Sequence, residues 1–119
     1  MPGTIKAVVF VGDSLRELQQ LPDQARRDLG HALFLVQTGD TPSCSKALKG
    51  FPVALREIRV WHDKETYRGV YTANLGNRVY LLHVFHKKST RGIATPIHEV
   101  EKIRARLQEA QRMEAEAHE

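Results

Sequence analysis

The chain has 119 residues, 41% of them hydrophobic and 27% charged, with a formal net charge of +4. That length suits one domain with a real core, and the composition is that of an ordinary globular protein. Its single cysteine, Cys44, excludes an internal disulfide and fits a reducing, cytoplasmic setting.

The first apolar run, Ala7 to Val11, is too short for a signal peptide or a membrane anchor. Ile5 to Val11 reads as a strand, ended by Gly12. Asp13 and Ser14 are placed to cap a short helix, with Glu17 completing a capping box and Leu15 and Leu18 forming the inner face. Pro22 and Asp23 open a second helix, in which Ala25, Leu29, Ala32, Leu33 and Val36 recur at helical spacing. Residues 39–45 read as loop, and 46–52 as a connection pinned by Leu48 and Phe51.

Ala54 to Trp61 alternates, with Ile58 and Val60 on one face and Glu57 and Arg59 on the other. A polar turn at 62–66, a strand from Tyr67 to Ala73 and a turn holding Gly76 lead to a last strand from Arg78 to Lys87. Strict alternation puts Val79, Leu81, His83, Phe85 and Lys87 on one face of it. Tyr80, Leu82, Val84, His86 and Lys88 take the other. Apolar residues on both faces place this strand inside an antiparallel sheet, with Ser89 to Gly92 as a polar turn after it. Thr95-Pro96 starts a C-terminal helix with the stripe Ile97, Val100, Ile103, Leu107 and Ala110. The pattern fades from Gln111, giving a domain at 1–112 and a frayed polar tail at 113–119.

Charge is unevenly spread. Residues 1–45 hold four Lys or Arg against five acids, 46–91 ten against three, and 92–119 four against six. The excess lies in the segment read as sheet, and a clustered basic face is the electrostatic footprint of a phosphate-rich partner.

Four local motifs follow one another in this frame: Leu55-Arg-Glu-Ile-Arg59, Tyr67-Arg-Gly-Val-Tyr71, Leu82-His-Val-Phe-His-Lys-Lys-Ser-Thr90, and Thr95-Pro96 opening a helix. Together they resemble the RelE/ParE toxin superfamily, most of all its HigB-like, phage-derived branch, over about Lys6 to Arg112. The resemblance implies an α+β, RelE-like fold: a small antiparallel sheet, an N-terminal helical hairpin and a C-terminal helix. It implies a type II toxin with a cognate antitoxin of helix-turn-helix type. Relatives of the RelE and HigB kind cut mRNA on the ribosome through its own 2′-hydroxyl, with no metal or other cofactor. A ParE-like gyrase inhibitor and a non-catalytic binding relic are the alternatives; the basic cluster favours RNA. No membrane partner is implied.

Carried over residue by residue, the resemblance implies catalytic roles for Arg59, Arg68 and Lys87 or Lys88. Guanidinium groups suit a phosphorane because they bind phosphate in a fork and stay charged. Glu57 falls where some relatives carry lysine. Arg56, Lys49, Arg78, Arg91 and Tyr67 complete the expected RNA-binding set. His83, in an apolar run, reads as a core histidine, whereas His86, sharing a face with Lys88, is the better proton-transfer candidate. Relatives often carry a catalytic Tyr or His near the C-terminal helix. Here only His98 and His118 are available, so the general acid stays open. Trp61 and Tyr67 flank the hairpin turn, where packing is the default and base stacking the alternative. The histidines show no metal-ligand spacing.

Overall fold

A computed structural model describes residues 5–88 and 95–117; the side chains of Lys87 and Lys88 lie outside that description. The elements are β1 (Val8–Phe10), α1 (Ser14–Gln19), α2 (Asp23–Gln37), β2 (Ser45–Leu48), β3 (Leu55–His62), β4 (Glu65–Leu75), β5 (Arg78–Lys88) and α3 (Ile97–Ala117). They build one five-stranded sheet in the order β1-β5-β4-β3-β2. β1 pairs with β5 in parallel and every other pairing is antiparallel. The fold is therefore the α+β arrangement expected from the sequence.

The sheet separates two cores. On one face Ala25, Leu29, Ala32, Leu33 and Val36 of α2 pack with Ile58, Val60, Tyr71, Val79 and Leu81. On the other, Ile103, Leu107 and Ala110 of α3 pack with Leu55, Val70, Tyr80, Leu82 and Phe85. The apolar stripes of both long helices thus sit where their spacing puts them. Two members read as inner are outside it: Leu15 is 41% and Ile97 74% exposed.

β5, inside the sheet as expected, departs from strict alternation. Val70 pairs with His83 but Tyr71 pairs with Leu81, so Leu82 has no partner on β4. This bulge reverses the alternation after it. Phe85 consequently joins Tyr80 and Leu82 against α3, and Val84 joins Val79 and Leu81 against α2.

β1 is short and pairs with β5 only as far as Phe10 and Leu81. Beyond that point the outer edge of β5 has no strand beside it among the described residues, and other groups satisfy its backbone. The Val84 N–H donates to Glu17 Oε1 at 3.1 Å, and the Leu82 carbonyl accepts from Arg106 Nη1 at 3.1 Å. The capping-box reading of Glu17 fails for this reason. Asp13 is the N-cap of α1 without a side-chain cap bond, and the Glu17 carboxylate serves β5 instead.

Two further boundaries differ. Ser45–Leu48 is an edge strand rather than a connection, antiparallel to β3. Its two middle residues are exposed, so it carries no alternation to read. α3 stays helical to Ala117 in place of the frayed tail. Tyr80 donates its hydroxyl to Glu114 at 2.5 Å, Met113 packs on the core, and Arg112 bridges Glu109 and Glu116.

Gly69 on β4 lets α2 approach the sheet: a Cβ there would lie 3.0 Å from Leu29 Cδ1, and Leu29 is fully buried. Gly69→Ala should destabilise by about 1–3 kcal/mol through overpacking, and Leu29→Ala by about 2–5 kcal/mol through a cavity. The double variant should cost less than the two added together. Urea melts of all four proteins check this, and strict additivity would show that the close approach carries no strain.

Candidate functional site

On the sheet face that carries α3, the apolar core gives way to charge along β3 and β4. Glu57 and Arg59 extend the Leu55 side of β3, and Arg68 extends the Val70 side of β4. Arg59 and Arg68 stand directly opposite each other in register. Like charges across an antiparallel pair repel. Here one carboxylate offsets them: Glu57 Oε1 accepts from Arg59 Nε at 3.0 Å and from Arg68 Nη1 at 3.2 Å.

The three groups differ in exposure. Glu57 is fully buried and Arg68 only 4% exposed, whereas the Arg59 side chain is 37% exposed. Arg68 is thus a buried arginine, neither a surface charge nor an open phosphate clamp. Two guanidiniums on one carboxylate leave one positive charge uncompensated, presented outward by Arg59. Among the described residues, Glu57 Oε2 and Arg68 Nε have no hydrogen-bond partner. The cluster therefore keeps unused donor and acceptor capacity in a dry setting, where it is electrostatically strongest.

Several expected members lie elsewhere. His86 stacks on Tyr67 with ring centroids 5.3 Å apart, and its Nε2 lies 3.1 Å from Glu65 Oε1. Tyr67 is 7% exposed, joins the α2-side core and donates to Glu65 Oε2 at 3.0 Å. Neither ring shares the Arg59–Arg68 face, so the structure does not bring His86 or Tyr67 together with that pair. Arg56 is also on the α2 side, donating to Ser45 Oγ at 3.1 Å and Ser45 O at 3.0 Å. It lines a cleft of about 260 Å³ with Lys6, Asp40 and Tyr71. Arg78 opens β5, seven residues before Phe85, the β5 partner of Arg68. At about 3.3 Å per residue it stands more than 20 Å along the strand from that level.

Lys49 does flank the α3-bearing face, in a groove with Phe51, Val100 and Arg104. Lys87 pairs with Thr66 and Lys88 with Glu65 in register, but their side chains lie outside the described residues, as do Arg91 and His118. His98 is exposed in the first turn of α3. Trp61, for which packing was the default, is instead 62% exposed.

A second polar cluster was legible only in part. His83 is a core histidine, 2% exposed, as its apolar run implied. Its Nδ1 lies 3.2 Å from Glu17 Oε1 and its Nε2 2.8 Å from Glu99 Oε1. Arg106 clamps Glu17 with two bonds, Nη1 to Oε1 at 2.7 Å and Nη2 to Oε2 at 3.0 Å. Burial pushes the Glu17 carboxyl upward, but hydrogen bonds from His83, Arg106 and the Val84 amide outweigh it and hold the pKa at about 2. Among the described residues no group of three or more His, Cys, Asp or Glu side chains is arranged to hold a metal ion.

Glu57→Gln removes the only negative charge between two arginines and should destabilise by about 3–5 kcal/mol. Arg59→Ala, at a partly exposed pair, should cost below about 1 kcal/mol. Equal costs in denaturant melts would contradict the burial argument. Glu17 has a folded-state pKa below its ordinary value of 4.5. Its contribution is therefore complete above about pH 4.5 and is lost as pH falls toward about 2. Glu17→Gln should flatten the dependence of stability on pH in that window, read from urea midpoints at several pH values.

The sequence profile described as Phage derived protein Gp49-like (DUF891) matches residues 16–108, which span α1 through most of α3. No curated protein matches this sequence. No described helix is long and apolar enough to cross a membrane. With most of its length under that profile, the chain belongs to the phage-derived Gp49-like family (DUF891), a family of RelE/HigB-like toxin type.

Proposed function

We propose that this protein is the toxin of a type II toxin–antitoxin pair and cleaves mRNA held in the ribosome. The observation that carries this reading is the Arg59–Glu57–Arg68 cluster, with a net positive charge turned outward by Arg59. It lies in the segment that holds ten basic residues against three acids. In the reaction the 2′-hydroxyl attacks the adjacent phosphorus and the bond to the 5′-oxygen breaks. The products are a cyclic phosphate and a 5′-hydroxyl. Charge builds on the non-bridging oxygens, where preorganised cations stabilise it most. Arg59 supplies the reachable fork, and Glu57 fixes its direction by accepting from Nε, with no bond to either terminal nitrogen from the described residues. Arg68 acts from below, locking Glu57 in place. Lys87, opposite Thr66 in register and thus two positions beyond the Arg68–Phe85 pair, is the second cation of this reading.

A binding-only relic is the second reading. The burial of Arg68 and the placement of His86 on the other face favour it, because they leave the reaction without an assigned proton donor. An antitoxin partner and a cytoplasmic setting belong to both readings.

Induction of the protein alone should arrest bacterial growth, and co-expression of the neighbouring gene should relieve it. With ribosomes and a defined transcript, primer extension should map discrete cuts. Arg59→Ala should fold and lose cleavage by about 10²–10³-fold, the scale of one preorganised donor to transition-state charge. Arg59→Lys, which keeps charge without the fork, should fall between. Growth arrest without any cut transcript would reject the nuclease in favour of the binding reading.

A further inference from the structure

We propose that Trp61 is a stacking platform for an unpaired nucleobase, seating the nucleotide beside the phosphate that Arg59 holds. The inference rests on the RNA reading of that face and names how the strand is positioned there. Trp61 is the only tryptophan of the chain. At 62% exposed it leaves most of its apolar area in water, although tryptophan is among the side chains that gain most from burial.

Its position is specific. The β3–β4 register runs without a shift from Arg56 to His62, so Trp61 and Arg59 project from the same face two residues apart. That separation, roughly 6.6 Å along the strand, is of the order of a nucleotide step. Thr66 is its cross-strand partner, a small side chain that leaves the indole uncovered. Among the described residues no ring or cation stacks on it.

The hairpin that carries it is tight. Asp63 and Lys64 form the turn, both with positive φ, at 50° and 66°, the geometry of a two-residue connection whose twist matches the strands. The platform is therefore fixed to the sheet and not to a long loop.

The surroundings select the ligand class. Lys46, opposite Glu57 in register, and Lys64 at the hairpin tip are exposed cations flanking the indole's strand. Among the described residues, the other exposed large apolar ones, Ile5, Leu15, Phe34 and Ile97, lie elsewhere in the chain. A protein hot spot centres on an aromatic sealed by a packed surround. A lone aromatic among cations is how single-stranded nucleic acid is gripped, with stacking for the base and charge for the backbone.

The single tryptophan makes the test direct. A 2′-O-methyl oligoribonucleotide, which lacks the attacking hydroxyl, is titrated against the intact protein while tryptophan fluorescence is followed. The same backbone with abasic positions is the control. Quenching is expected with the base-bearing oligomer, which should bind about tenfold more tightly than the abasic one. By anisotropy of labelled oligomer, Trp61→Ala should lose about tenfold in affinity and Trp61→Phe much less, at unchanged melting temperature. Arg59→Ala should weaken both oligomers alike. Equal binding of the two oligomers, or wild-type affinity in Trp61→Ala, overturns the proposal. So does quenching produced only by the protein of the neighbouring gene, which would make Trp61 a protein contact. Because the oligomer cannot be cleaved, base-dependent quenching by a protein that cuts no mRNA supports the stacking site and sinks only the nuclease reading.

Discussion

The carboxylate of Glu17 ties α1, β5 and α3 together where the sheet edge opens. β1 stops at Phe10, and the β5 backbone beyond it would face the interior unpaired. Glu17 accepts the Val84 N–H and two bonds from Arg106, and Arg106 in turn reaches the Leu82 carbonyl. A buried backbone group without a partner costs on the order of 1–3 kcal/mol, so the position of α3 against the sheet depends on this junction. His83, introduced beside it by the bulge at Leu82, bridges Glu17 to Glu99 and fastens the first turns of α3.

The same device, one carboxylate shared by cations, works differently on β3. Around Glu17 every strong donor is internal and the cluster joins elements. Around Glu57 the acid separates two arginines of neighbouring strands and leaves one of them facing solvent. The first arrangement is closed, whereas the second keeps an oxygen and an Nε inside the protein without a partner among the described residues. A folded domain tolerates few such groups, and their concentration beside an exposed guanidinium is what separates this face from ordinary basic surface.

The sheet also divides the candidate polar and aromatic residues. Arg56, Tyr67 and His86 belong to the α2 side, with their polar atoms engaged by Ser45 and Glu65. Arg59 and Trp61 belong to the α3 side. Among the described arginines of β3 and β4, Arg56 therefore faces the α2 side, whereas Arg59 and Arg68 face the α3 side with Glu57. A charge count along the chain cannot distinguish these, because successive strand residues point in opposite directions.

What the sequence determined by itself was whatever local periodicity and turn chemistry encode. The stripes of α2 and α3, the three-strand meander, the interior place of β5 and the core nature of His83 follow from spacing alone. The ordered motifs were enough to suggest the family type. Tertiary structure decided the rest. The bulge at Leu82 is invisible in a run of apolar residues, yet it sets which way His83, Val84 and Phe85 face. Glu17 read as a cap because its spacing from Ser14 allows one; the open edge of β5 offered its carboxylate stronger donors. β2 pairs as an edge strand without alternating burial, since backbone hydrogen bonds to β3 ask nothing of its side chains. The partnership of Glu57 with Arg68, eleven positions apart in sequence, exists only because β3 and β4 pair in one register. Periodicity names the face a residue occupies, whereas the charges and edges it meets there are set by strands and helices distant in sequence.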